Sequence, residues 1–148
     1  MRLALYQPDI PQNAGTLLRT AACLAISVDV IEPCGFVFSD KQFRRAGMDY
    51  LKNMDVVRHD SWAAFGDSSE RRGSRLVLLS TRAQTVYTDF AFQSGDILMV
   101  GRESAGVPDD VFGATDAQVR VPMVDGARAL NVAIAAAMVL GEALRQTN

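Results

Sequence analysis

Three short segments hold the side chains best equipped for chemistry in this chain of 148 residues. GRESAGVP (Gly101–Pro108) sets one carboxylate, Glu103, between two glycines. VPMVDGARALN (Val121–Asn131) ends on an amide, and PQNAGTLLR (Pro11–Arg19) holds an amide, Asn13, and a guanidinium, Arg19. The first segment has the glycine spacing of a phosphate loop, but Val107 and Pro108 stand where Lys and Ser or Thr would follow. Nor is it a dinucleotide fingerprint, which belongs early in a chain. What it allows is a tight strand-to-helix loop whose backbone can approach a flat ligand closely. Each side chain also has a plain reading. Glu103 caps a short helix that follows it; Asn13 is an N-cap by type. Arg19 is a surface residue two turns along a helix. Asn131 is a cap or a satisfied buried amide. His59 is the only histidine, which counts against a Ser-His-Asp hydrolase and against a multi-histidine metal site.

Elements to position these groups follow from the pattern. Short β-rich runs alternate with helical stretches. Strands are predicted at Arg2–Gln7, Val28–Glu32, Val56–His59, Leu76–Ser80, Ile97–Val100 and Val119–Val121. Helices are predicted at Asn13–Ala25, from Ser39 over Asp40–Ala46, after Ser61, at Pro108–Phe112 and at Ala129–Gln146. Leu76–Ser80 and Ile97–Val100 are nearly continuous apolar runs, as expected of strands covered on both faces. The alternation predicts an α/β fold, a mostly parallel sheet with helices on both faces. Ligands of such sheets bind beyond the carboxyl ends of the strands. GRESAG follows one strand and MVDGAR another, so pattern alone places a cleft there. From Leu130 to Gly141 the only polar side chain is Asn131. A helix apolar all round is covered on more than one side. This predicts a homodimer through the C-terminal helix, with a central core helix in a monomer as the alternative.

The bulk numbers describe one domain over residues 1–148, without repeat, low-complexity tract or linker. No apolar run is long enough to span a bilayer. MRLALYQPDI turns polar after Tyr6, so no signal peptide is expected. Cys23 and Cys34 then read as reduced thiols of a cytoplasmic protein, outside any metal-ligand spacing, and no metal is expected. The net charge of −2 counts against a nucleic-acid partner. Two basic clusters, Lys41 with Arg44 and Arg45, and Arg71 with Arg72 and Arg75, count the other way unless they are solvated surface.

Taken together the three segments resemble the SPOUT RNA methyltransferases, in their SpoU-like branch. The family's first motif, P-x-N-x-G-x-x-x-R, is matched by Pro11, Asn13, Gly15 and Arg19. Its second, G-x-E-x-x-G-[LV]-P, is matched by Gly101, Glu103, Gly106, Val107 and Pro108. Its third, [IV]-P-M followed by R-S-[LM]-N, is matched by Val121, Pro122, Met123, Arg128, Leu130 and Asn131. Ile31–Tyr50 is similar to the middle segment of the subgroup that methylates the tRNA wobble nucleotide. The resemblance covers nearly the whole chain. It implies a sheet whose C-terminal part forms a deep trefoil knot, with no separate RNA-binding domain. It implies S-adenosylmethionine as methyl donor, leaving S-adenosylhomocysteine, and tRNA as acceptor across a homodimer. Carried over residue by residue, Leu79, Gly101, Val121, Ala129 and Leu130 would hold the cofactor. Asn13, Arg19, Glu103 and Asn131 would be catalytic, and Lys41, Arg44 and Arg45 would join Arg19 in holding substrate. The family assigns the motif-one arginine as base; arginine stays protonated, so Arg19 is read here as an orienting cation. One departure stands out: the motif-three serine is Ala129. Open alternatives are an enzyme of the same family acting on another tRNA or rRNA site, a non-catalytic RNA- or cofactor-binding homologue, and a nucleotide-binding domain with accidental matches.

Overall fold

A computed structural model describes residues 1–39, 41 and 54–148. Its elements are β1 (Arg2–Tyr6), α1 (Pro11–Cys23), β2 (Ser27–Ile31), β3 (Val56–His59), α2 (Trp62–Gly66), β4 (Leu76–Leu79), β5 (Thr85–Val86), β6 (Ile97–Val100), α3 (Asp109–Gly113), β7 (Ala117–Arg120) and α4 (Val132–Thr147). A single 3-10 turn, Tyr87–Asp89, follows β5. The strands form one sheet in the order β3-β2-β1-β6-β4-β7-β5, and every pairing between them is parallel.

Alternation along the strands feeds two cores. Leu3 and Leu5 of β1, Val28 and Val30 of β2, and Leu98 and Val100 of β6 face one side. There α1 contributes Leu17, Leu18 and Ala21, and α4 contributes Ala136, Val139 and Leu140. Ala4, Tyr6, Ile97 and Met99 face the other side, against Phe65 of α2 and Val111 of α3. Fully burying one such aliphatic or aromatic side chain is worth roughly 1.5–3 kcal/mol. Both faces of the central strands are therefore covered, as their unbroken apolar runs predict.

The differences from expectation lie at element ends. α1 begins at Pro11 with Ile10 as its N-cap, so Asn13 sits inside the first turn rather than capping it. Pro is suited to that position because its missing N–H has no helical partner there. α4 begins at Val132, not Ala129, because the Asn131 side chain caps it by accepting from the amides of Ala133 and Ile134 at 2.9 and 3.3 Å. That bond holds Asn131 outside helical geometry (φ −53°, ψ 132°) and leaves Ala129 and Leu130 as loop. Pro108 is likewise the N-cap of α3, outside the helix. Ser61 caps α2 as expected, accepting from the Ala64 amide at 3.0 Å. The helix expected over Asp40–Ala46, and with it Arg44 and Arg45, lies outside the described residues.

Candidate active site

The chain leaves β1 toward β2 and β3 on one side, and later fills the other side with β6, β4, β7 and β5. The strand order thus reverses between β1 and β6, the place where open parallel sheets take their ligands. The loops that follow β1 and β6 meet there. Gln7 ends β1 with φ +45°, an uncommon conformation for a residue with a side chain, and turns the chain sharply. The β6 loop closes on itself: the Arg102 amide donates to the Gly106 carbonyl at 3.0 Å and the Gly106 amide to the Arg102 carbonyl at 2.8 Å. The turn needs both its glycines. Gly106 has φ +59°, and a Cβ on Gly101 would lie 2.7 Å from the Gly106 backbone.

A directed chain of hydrogen bonds crosses the gap. The α4 amides can only donate, so Oδ1 of Asn131 faces them. Nδ2 of Asn131 then points away and donates to Oδ1 of Asn13 at 2.9 Å. Nδ2 of Asn13 in turn donates to Oε1 of Glu103, which accepts. Both amide orientations are fixed by the two ends of the chain, a helix N-terminus and a carboxylate. Glu103 is therefore not the cap of α3: it is tied to α1. Burial holds the Glu103 carboxyl above its ordinary range; the negative charge of Asp9 adds to this and the Asn13 hydrogen bond opposes it. Asp9 itself accepts from the amides of Glu103 and Ser104, at 3.0 and 3.2 Å, and from the Ser104 hydroxyl. Burial alone would raise Asp9, but these bonds outweigh it and hold its carboxyl low.

Beside this chain lies a cleft of about 430 Å³ at the carboxyl ends of β4, β6 and β7. That is ample for a small-molecule ligand. Leu79, Gly101, Val121, Ala129 and Leu130, the five residues expected to hold a cofactor, all line it, and so do Glu103 and Asn131. The walls are apolar at Leu78, Leu79, Val107, Val121 and Leu130, and the glycines Gly101 and Gly106 bring main chain to the cleft. Apolar walls suit an adenine ring and a thioether stem, backbone amides and carbonyls can bind their polar edges, and Glu103 offers a counter-charge to a sulfonium. The residues present therefore fit S-adenosylmethionine.

Arg19 is exposed on α1, two turns from Asn13. Lys41 is exposed too. The second basic cluster does not form a patch. Arg71 is bound to Asp116 at 2.9 Å and to the Ser74 carbonyl, while Arg75 pairs with Asp96 at 2.8 Å and lies over the Phe90 ring. Sequence reasoning missed Asp9 and its partner Ser104, and the hydroxyls of Ser80 and Thr81 on the cleft wall. Asp9 had one visible signal, a charge in the loop after β1, on the ligand-binding edge of the sheet.

A parallel sheet with a small-molecule cleft at its strand-order reversal, with a carboxylate and two amides beside it, defines a ligand-binding α/β domain. Residues 1–141 match the SpoU rRNA Methylase family, and the chain belongs to that family. A tRNA (cytidine(34)-2'-O)-methyltransferase of Beijerinckia indica is 60% identical over 97% of this chain and 90% of its own length. The protein of the same description from Escherichia coli K12 is 36% identical over 99% and 93%. A solved structure described as giving insights into 2-OH methylation of C/U34 on tRNA superposes with a TM-score of 0.89 at 41% identity, covering 98% of this chain and 94% of that one. The SpoU methyltransferase AviRb of Streptomyces viridochromogenes, solved with its cofactor AdoMet, gives 0.87 at 28% identity over 99% of this chain and 60% of AviRb.

Proposed function

We propose that this chain is an S-adenosylmethionine-dependent tRNA methyltransferase acting on the 2′-oxygen of nucleotide 34, a cytidine or modified uridine. One observation carries the reading: the Asn131–Asn13–Glu103 chain stands on the rim of the cleft that all five expected cofactor residues line. The full-length likeness to relatives named for that reaction supports the site.

Leu79, Gly101, Val121, Ala129 and Leu130 would hold S-adenosylmethionine, which when bound supplies an electrophilic methyl on a sulfonium. Much of the acceleration then comes from alignment of methyl and ribose oxygen. Asn13, Glu103 and Asn131 keep the loops that flank the cleft in register. Arg19 grips the phosphate next to the acceptor ribose bidentately and stabilises the alkoxide as it develops. The phosphate takes the proton, and Lys41, Arg44 and Arg45 hold the tRNA backbone.

A homodimer and a knot belong to the same reading. Leu130, Ile134 and Met138 are 41, 57 and 40% exposed and repeat every four residues, an apolar strip along α4 that one chain leaves open. A second copy covers it, bringing two basic surfaces together around one tRNA. α4 packs on α1 and touches β6; the knot itself rests on the family resemblance. Light scattering at micromolar concentration should give twice the chain mass; a monomer mass sinks the dimer. Among the described residues no helix is long and apolar enough to cross a membrane.

The deciding experiment incubates the protein with labelled S-adenosylmethionine and bulk tRNA from a strain lacking its gene, then maps 2′-O-methyl sites. Label at nucleotide 34 is the expected result. Label at another RNA position reassigns the substrate, and cofactor or RNA binding without transfer overturns the catalytic reading.

A further inference from the structure

We propose that Asp9 is a positioning residue for this reaction, clamping the β6 loop so that Glu103 meets Asn13 at the cleft. This rests on the functional reading above and gives a role to a residue that reading does not use.

The clamp is built on backbone. Each oxygen of the Asp9 carboxylate takes one of two consecutive amides, Glu103 at 3.0 Å and Ser104 at 3.2 Å, and the Ser104 hydroxyl adds a third donor. Asp9 thus sets where the main chain of Glu103 runs, while Asn13 sets where its side chain points. The clamp also has a back wall. Gly35, in the loop after β2, comes so close that a Cβ there would lie 2.9 Å from both Cα and Cβ of Asp9, and its amide donates to the Pro8 carbonyl at 2.9 Å. Asp9 is therefore held between the loops that follow β2 and β6, and cannot retreat from the second without displacing the first. On its far side the β6 loop is steadied by the Arg102 guanidinium over the Tyr6 ring, 5.8 Å from its centre.

A clamp serving the fold alone has no need to stand beside a second carboxylate. Asp9 raises the proton affinity of Glu103, second only to burial, and so works against an ionised Glu103. The arrangement makes sense if loop position matters more than that repulsion. The donors to Asp9 absorb part of its charge and keep it ionised.

The test is steady-state methyl transfer to tRNA by Asp9→Asn, Glu103→Gln and the double variant, with melting temperatures alongside. Asparagine keeps the shape but turns an NH₂ toward one amide donor. Asp9→Asn should lower kcat roughly ten- to a hundredfold, the cost of losing a charged acceptor, with a modest drop in melting temperature at neutral pH, because the lowered Asp9 carboxyl also contributes stability there. Because Asp9 acts through Glu103, adding it to Glu103→Gln should cost little more. Wild-type kcat in Asp9→Asn, or a fully additive loss in the double variant, overturns the role. If Asp9→Asn does not fold, Ser104→Ala decides: a few-fold loss of kcat is expected, and wild-type kcat overturns the role. An unmodified chain that transfers no methyl group to any RNA overturns the functional reading itself, a result distinct from a normal enzyme with a silent Asp9.

Discussion

Two polar networks serve the same sheet, one within its strands and one in the loops at its carboxyl edge, and they are built differently. In the first, Asp29 of β2 is fully buried and takes Nε of Arg2 at 2.7 Å and Nε2 of His59 at 2.8 Å. Its members lie within neighbouring strands, His59 packs edge-on to Phe65, and none of them lines the cleft described above. In the second, Asn131, Asn13, Glu103 and Asp9 are partly or fully exposed and sit on loops or helix starts beside the cleft. A buried polar group whose partners lie in the strands is costly to break, because losing one partner leaves the others out of water and unpaired. A half-open network at the carboxyl edge adds less to the fold, chiefly the Asn131 cap of α4 and the Asp9 clamp, and its remaining groups can serve a ligand. His59, the most conspicuous residue for catalysis by type, thus belongs to the structural network.

That contrast is tested most severely at Asp29. Asp29→Ala leaves His59 buried beside an empty acceptor position and Arg2 with only Asp55, at 3.1 Å. Breaking a buried pair costs roughly 3–5 kcal/mol, here near the low end because Asp55 remains. Urea unfolding should show a loss of about 3 kcal/mol, a large part of a typical domain's stability. The KM for tRNA of the folded protein should not move; a stable but inactive variant would move this network into the site. Next comes Arg19→Lys, which keeps the charge and loses the bidentate fork. Its kcat should fall about a hundredfold with an unchanged urea midpoint. Near-full turnover would count against the grip on phosphate.

Glu103→Gln separates the networks by sign. Folded Glu103 holds its proton more tightly than an unfolded chain does, through burial first and Asp9 second. Its contribution to folding is therefore full below the ordinary value of 4.5 and is lost as pH rises through the raised folded value. At neutral pH the ionised carboxylate is a cost. Glutamine keeps an acceptor for Asn13 and removes the charge. The variant should melt at the same or a higher temperature at pH 7, with that advantage fading in acid, while kcat falls about a hundredfold. A clear drop in melting temperature at pH 7 would place Glu103 with Asp29 among the structural groups.

The sequence made the scaffold legible where signals are local. Val56–His59 and Ile97–Val100 are bounded as read, each a short β-rich run, and Ser61 caps α2 as its type suggests. β5 was invisible because two residues, Thr85 and Val86, carry no period. The cleft was legible because loop position follows from topology, yet the bonds that organise it were not. Asn131 and Asn13 are 118 residues apart, and Asp9 and Glu103 are 94 apart. By residue type Asn13 suggested a helix cap and Glu103 a cap for α3; each was claimed by a partner from the other end of the chain. Asp9 had no motif to flag it, and only the fold brings it under Glu103.

The smallest expected effect lies at Ala129, on the cleft wall beside Leu130 and Asn131. The family motif has serine there, so this chain lacks a hydroxyl facing the cofactor position. If the comparison is right, this wall belongs to the ligand side and contributes little to stability. Ala129 is exposed and in loop, so a serine side chain meets no packing penalty. A neutral hydrogen bond is worth about 0.5–1.5 kcal/mol, which converts to roughly two- to twelvefold in a rate or binding constant. Ala129→Ser should therefore leave kcat/KM for S-adenosylmethionine unchanged or raise it within that range, with the melting temperature fixed. A collapse of activity would mean that the 129–131 turn holds the Asn131 cap of α4 in a way a hydroxyl disrupts, and the boundary between the structural and the ligand-side networks would have to be redrawn through that turn.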